Sequence, residues 1–513
     1  MSKFKTAKAA VIIMVLSLAS KLLGFLRETF IADRFGASVE TDAYLVAITI
    51  PTVLFASVAA SLGTSFIPVF TEWLEKKDRD EAFNFVNNLV NLLIVFCLLF
   101  SLFGMALSPL LVKFLAPGFK DYAYYLTATL IRMSFPIVFF IALTYIASSI
   151  LQVFGNFTIP ALIGIPYNFI IITFLVFLSG IFGIKGLTIA TLIASASQLI
   201  IHLPYLKKMG YSYSFTLDIN HPAIRRIFIL ILPVIMGSAA YQINTIVDRI
   251  LASTLEEGSI SALNFANRLN GLTIGIFTAA ISTVMYPRLS KYAVERDWAN
   301  FKDSLVKAIN YMLTILIPSA TGLIILRVPI IKFLFERGAF DSRDTMMTAY
   351  ALMFFSIGLV AVGINDVLNK AFFSLQDTRT PMIGGMIAVL INISANLILI
   401  RYLKLGGLAL GTSTASITLF AILLLKIDKK LDGINKGKIM VCFLKVLVSS
   451  LIMGAVCYSA YNLLDLSLSV KTVFVIFLGG ISYIISVIML KLEEAEYVLR
   501  VFKSRLEIVL NKF

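Results

Sequence analysis

Charge and sulfur are scarce in this chain of 513 residues. Its three cysteines, Cys97, Cys442 and Cys457, all lie inside apolar runs. They read as small core hydrophobes, and neither a disulfide framework nor a cysteine metal site follows from them. Two histidines, His202 and His221, are too few for most metal-hydrolase chemistry. Charged residues make up 14% against an ordinary ~25%, and hydrophobic residues 59% against ~45–50%. A mean hydropathy of +0.92 leaves too little polar surface to clothe a soluble enzyme, a fibre or a disordered chain. Phosphate-cradling loops, GxSxG, HExxH and CxxC pairs are all missing, so nothing supports ATP hydrolysis or standard nucleophilic catalysis, and no enzyme is expected. Alternating strands of about ten residues are missing too, which excludes a transmembrane barrel.

What remains is long apolar runs rich in Phe (41) and Tyr (19), interrupted by Gly (29) and Pro (14). Runs of about 20 residues are what helices need to cross a bilayer. About fourteen such helices are predicted, starting near Ala9, Tyr44, Phe85, Tyr122, Thr158, Gly186, Ile224, Ile260, Phe301, Thr345, Pro381, Gly407, Ile439 and Lys471. The first is too long and too polar for a discarded signal peptide and reads as a retained helix. The net charge of +15 sits in short loops and points to the membrane surface, not to nucleic acid. Lysines and arginines crowd the loops on one side, as at Lys76, Lys77 and Arg79, at Arg225 and Arg226, and at Lys429 and Lys430. The positive-inside bias places both termini in the cytoplasm of a multi-pass inner-membrane protein. Residues 493–513, amphipathic and basic at the end, are expected to lie along the inner surface.

The chain also repeats itself. Ala43, Ala47, Ala60, Thr64 and Pro68 align with Ala262, Ala266, Ala279, Thr283 and Pro287, an offset of 219. Pro160, Gly164, Gly186, Leu187, Thr191 and Ser195 align with Pro381, Gly385, Gly407, Leu408, Thr412 and Ser416, an offset of 221. Copies separated by six helices face the same way, so the repeats are parallel. The predicted architecture is an all-α polytopic membrane protein. A six-helix lobe occupies residues 1–210, a second 211–430, and two added helices 431–492. Two such lobes suit an alternating-access transporter, the alternative being a duplicated scaffold without transport.

Charged residues inside spans are costly and normally face a cavity or a partner. Ser17, Lys21, Gly24 and Glu28 form one helical stripe with Arg27 on its flank, and Asn264, Arg268, Gly271 and Gly275 repeat the spacing. Lys21, Arg27 and Arg268 suit a polyanion, since guanidinium forks grip phosphate oxygens. The bland alternative is that Arg27 merely pairs with Glu28 while Arg268 reaches toward the interface. Asp248, with Asn392, Asn396 and Thr412, outlines a hard-cation site, Na+ being the candidate coupling ion and no other cofactor expected. A buried hydrogen-bonded core network is the competing account. Asp366 and Lys370 read as a structural i, i+4 ion pair. QDTRTP at 376–381 reads as a turn capped by Asp377 and stopped by Pro381.

The motifs SKLLGFLRE at 20–28, FGASVETDAY at 35–44, APGF at 116–119, NFANRL at 264–269, YPRLSK at 286–291, ERGAF at 336–340 and QDTRTP occur in an order that resembles the MurJ (MviN) family. Those are the lipid II flippases of peptidoglycan synthesis, in the multidrug/oligosaccharidyl-lipid/polysaccharide exporter superfamily. The resemblance, over about residues 8–490, implies fourteen helices, a two-lobed V-shaped cavity, and an undecaprenyl-pyrophosphate precursor moved from the inner to the outer leaflet. It also implies a partnership with the lipid bilayer and with the cell-wall synthesis machinery. Arg27 and Arg268 match cavity arginines of the family, Lys21 a place usually held by Arg, and Asp42 an acidic residue at the outer end of helix 2. Where the family often carries an arginine early in helix 2, this chain has Phe55 and Ala56. That departure weakens the phosphate clamp and leaves room for another polyprenyl-pyrophosphate oligosaccharide. A cation-coupled drug exporter would want an acidic cavity, and a glycosyltransferase a larger loop than any here.

Overall fold

The computed structural model describes residues 3–493, and the tail expected along the inner surface lies outside the described residues. The chain divides into two compact units, the first comprising 1–261 with 337–341 and the second 262–336 with 342–513. The first unit runs through α1 (Lys3–Phe35), α2 (Val39–Ala47), α3 (Phe55–Lys76), α4 (Arg79–Ala106), α5 (Ser108–Leu115), α6 (Asp121–Ser134) and α7 (Ile137–Val153). It continues with α8 (Thr158–Leu162), α9 (Gly164–Phe177), α10 (Ser179–Ile200), α11 (Leu203–Lys208) and α12 (Pro222–Ala252). The second unit is built from α13 (Ser259–Glu295), whose first three residues group with the first unit, then α14 (Trp298–Ile325), α15 (Arg327–Phe335) and α16 (Ser342–Ser374). It ends with α17 (Arg379–Leu403), α18 (Leu405–Lys430), α19 (Lys436–Leu463) and α20 (Leu468–Met489).

The fold is all-helical, as the hydropathy predicts. Among the described residues eleven helices are long and apolar enough to cross a membrane, or twelve if the bent pair Ser259–Thr278 and Ile281–Glu295 counts as one span. The predicted starts near Ala9 and Ile224 fall on α1 and α12, which are helices outside that count. Large side chains such as Leu99, Phe103, Phe177 and Ile181 are exposed, the surface that lipid tails rather than water accommodate.

Proline chemistry shapes the start of the second span. Pro51 has no N–H, so the Ala47 carbonyl one turn earlier loses its helical donor. The Ser134 hydroxyl donates to that carbonyl instead, at 3.0 Å. The backbone loosens into a π-helical stretch over Thr49–Leu54, and Arg249 of α12 donates to the Leu45 carbonyl and to the Thr49 hydroxyl. Pro381 differs from its expected role. It sits in the first turn of α17, where a missing N–H costs nothing, and opens the helix instead of stopping it.

The first unit packs around Phe66, Phe70, Phe83 and Phe85, with Phe66 and Phe70 stacked at 5.0 Å between centroids. In the second, α14, α16, α18 and α19 surround Leu305, Ile309, Leu316, Leu368 and Phe372. Backbones approach closely through small residues, as expected where packing rather than water drives association. A Cβ on Gly358 would lie 2.7 Å from the Cα of Ser413. All three cysteines are buried and free. Between α11 and α12 the extended stretch 211–218 is laced to α4 by a ladder of buried asparagines. Asn87 donates to the Ser212 carbonyl (3.0 Å), Asn91 to the Ser214 and Thr216 carbonyls (3.1 and 3.0 Å), and Asn88 exchanges two 2.7 Å bonds with Asp218.

Candidate functional site

Arg27 reaches the surface of α1 where α9 crosses it. The approach depends on Gly164, because a Cβ there would collide with the Ser20 hydroxyl. It also depends on Asn168, whose amide donates to the carbonyls of Gly164 (2.8 Å) and Ser20 (3.3 Å). Around the guanidinium three groups converge. Glu28 Oε1 accepts from Nη2 at 2.6 Å, Asn168 Oδ1 from Nη1 at 3.2 Å, and the ring of Tyr167 lies 5.5 Å from the guanidinium carbon. Glu28 is almost fully buried, while Arg27 keeps about a sixth of its side chain accessible. The third donor, Nε, is buried and has no acceptor among the described residues. The pairing with Glu28 foreseen as the bland alternative is therefore present, yet it leaves the Nε donor without an acceptor among the described residues.

The other residues singled out from sequence fall as follows. Lys21 is exposed on α1, one turn and a half before Arg27. Asp42 is buried on α2 and engaged by its own chain: Gly258 N–H (2.8 Å), Ser261 N–H (2.7 Å) and the Ser261 hydroxyl all donate to its carboxylate. In the second unit, Asn264 is half-buried and Arg268 exposed on α13. Asn392, Asn396 and Thr412 come together. Asn396 donates to Asn392 Oδ1 at 2.9 Å, Asn392 to Thr412 Oγ1 at 3.3 Å, and Thr412 to the Leu408 carbonyl at 3.2 Å. These bonds join the three side chains into one hydrogen-bonded chain. Asp248 stands on α12 of the first unit. Among the described residues no three His, Cys, Asp or Glu side chains converge as metal ligands. Asp366 and Lys370 form the expected ion pair at 2.6 Å, with Ser282 donating to the same carboxylate oxygen.

Sequence reasoning missed Asn168, Tyr167 and Arg249. An asparagine in the middle of the apolar run GIPYNFIIITF was the available signal for the first. Arg249 carries none, because its partners are a backbone carbonyl and a hydroxyl some 200 residues away in the chain.

A protein-family model described as "Lipid II flippase MurJ" matches residues 31–479. The probable lipid II flippase MurJ of Buchnera aphidicola (subsp. Acyrthosiphon pisum) is 30% identical over 464 residues, covering 89% of this chain and 91% of the relative. The lipid II flippase MurJ of Burkholderia cenocepacia is 28% identical over 423 residues, covering 81% and 82%. Among solved structures, a lipid II flippase MurJ in an inward closed conformation superposes with a TM-score of 0.82 at 30% identity, covering 94% of this chain and 99% of that one. An inward-facing multidrug transporter of the MATE family, 17% identical, shares the fold with a TM-score of 0.64 over 82% of this chain and 99% of its own.

Proposed function

Because the chain belongs to the lipid II flippase MurJ family, and is thus a multi-pass inner-membrane transporter of lipid II, we propose that Arg27 holds the diphosphate of the lipid during its passage. The reading rests on one observation, the buried Nε donor that finds no acceptor among the described residues. Glu28 cancels the net charge and Asn168 and Tyr167 fix the plane, so the donor direction is set before a ligand arrives. Near-neutrality suits transport, because a carrier must bind strongly enough to load and weakly enough to release. With no nucleotide motif, the free energy for outward movement comes from an ion gradient, from consumption of the product, or from the potential. An inside-negative potential contributes ~2.3 kcal/mol per elementary charge per 100 mV to an anion moving outward. Both termini lie in the cytoplasm in this reading, in line with the charged loops.

The test is depletion of the native flippase in cells carrying variants, with outward-facing lipid II labelled chemically. Arg27→Ala removes all donors and should abolish rescue, and Arg27→Lys should rescue only partly, since an ammonium lacks the fork. A single charge-assisted bond is worth about 1.5–3 kcal/mol, so affinity for the diphosphate should fall roughly 10- to 100-fold. Full rescue by Arg27→Ala would overturn the assignment.

A further inference from the structure

Inside the first unit lies a cavity of about 400 Å³, bounded by α3, α7, α9 and α10. Its size falls within the ~300–1,000 Å³ of small-ligand pockets. Its wall is uncharged but polar. No charged side chain lines it, yet hydroxyls and amides do, among them Thr64, Thr144, Ser148, Gln152 and Gln198. Most of these hydroxyls spend their proton locally. Thr64 donates to the Ser61 carbonyl (2.9 Å), Ser149 to the Tyr145 carbonyl (2.8 Å) and Ser195 to the Thr191 carbonyl (2.8 Å), so each still has lone pairs to offer as acceptor. The Thr144 hydroxyl is different: the residue is only 3% exposed, and its oxygen has no partner among the described residues. A polar atom stranded in an apolar span costs free energy unless something in the cavity meets it.

One wall of the cavity is Tyr167, the same ring that carries the Arg27 guanidinium. A ligand group held at Arg27 and a group held in the cavity are therefore neighbours across one aromatic side chain. A pocket of neutral donors and acceptors with aromatic faces discriminates for an uncharged polar group, and in a glycan-diphosphate-lipid the group bonded directly to the diphosphate is a sugar. We propose that this cavity is the subsite for the first sugar of the transported glycolipid, an assignment that rests on the Arg27 reading above. The polar groups of the sugar would meet Thr144 and the amides, with a ring face against tyrosine.

The experiment measures binding of two probes to the purified full-length protein in nanodiscs: lipid II, and undecaprenyl diphosphate, which has the same lipid and phosphates but no sugar. Thr144→Val removes a hydroxyl that has no partner among the described residues, so it breaks no hydrogen bond seen in the fold. Ala60→Leu adds bulk to the cavity wall. Thr144→Val should weaken lipid II binding about 5- to 10-fold and Ala60→Leu at least as much, while undecaprenyl diphosphate binds each variant as it binds wild type. Lipid II binding unchanged in both variants, or both probes weakened equally, would overturn the sugar subsite. Should Arg27→Ala weaken both probes while the cavity variants change neither, the sugar assignment alone fails. Wild type that binds neither probe removes the Arg27 reading and the subsite with it.

Discussion

Asp42 and Ser261 occupy the same place in the two copies of the internal repeat, 219 residues apart, and they are hydrogen-bonded to each other. One copy carries a carboxylate and the other a hydroxyl, so the repeated position supplies an acceptor and its donor. Asp42→Asn turns an amide toward N–H donors and should lower stability by about 2–3 kcal/mol, read as the melting temperature of the purified protein. Ser261→Ala removes only the hydroxyl and leaves both backbone donors, so about 1 kcal/mol is expected. Equal losses in the two variants would mean that the carboxylate is not what the donors hold.

Three glycines with positive φ separate strain from collision. Gly258 (φ +85), Gly338 (φ +56) and Gly433 (φ +91) all adopt the left-handed region, which costs another residue about 1–2 kcal/mol. At Gly258 a Cβ would also strike the Ala37 carbonyl, and at Gly338 the Asp33 carbonyl, whereas at Gly433 nothing lies within 4 Å. Gly433→Ala should therefore accumulate normally in membranes with a slightly lower melting temperature. Gly258→Ala and Gly338→Ala should accumulate poorly, and quantitative blotting of membrane fractions distinguishes the cases.

A pH dependence follows from the turn before α17. Asp377 accepts from Lys430 (2.6 Å), and from the N–H (3.0 Å) and hydroxyl (2.9 Å) of Thr380. The Lys430 ammonium first, then the Thr380 donors, hold the carboxyl down at about 2. A carboxyl lowered on folding stabilises above its ordinary value of 3.8 and loses that contribution as pH falls through about 2. Because Lys430 is 40% exposed, screening limits the effect, and Asp377→Asn should cost about 1 kcal/mol or less at pH 7. The gap between the melting curves of wild type and variant should start to narrow below pH 3.8 and close as pH falls through about 2. A gap that persists there would assign the effect to the cap and not to the charge.

The Asn392–Asn396–Thr412 network gives a sharp alternative between core and ion site. Asn396 is completely buried and donates to Asn392. As a core network, its truncation to Ala should cost about 1–3 kcal/mol, equally in sodium and in choline salts. A sodium-dependent rise in the melting temperature of wild type, lost in Asn396→Ala and in Asp248→Asn, would make the group an ion site instead.

Hydropathy was enough to place every predicted helix start on a helical element, because a membrane imposes one length and one way of satisfying the backbone. Side-chain roles were only half legible. A charge in a span announces itself, as Arg27 did, but its partners come from helices far away in sequence: Asn168 and Tyr167 stand about 140 residues on. The polar lining of the cavity was invisible, since serines and threonines at helical spacing mostly bond their own preceding turn and look alike whether or not they face a void.

The asparagine ladder on α4 bears on how the protein can be tagged. A loop between spans is ordinarily where a reporter is inserted, but 211–218 has its carbonyls claimed one after another by Asn87, Asn91 and Asn88. An added residue there would shift every later carbonyl past its amide, as a slipped stitch unravels a seam. The turn at Gly433, with open space where a side chain would project, is held by local bonds from the Gly433 and Ile434 N–H groups back to Asp428 and not by a ladder of asparagines, and a fluorescent domain or epitope belongs there.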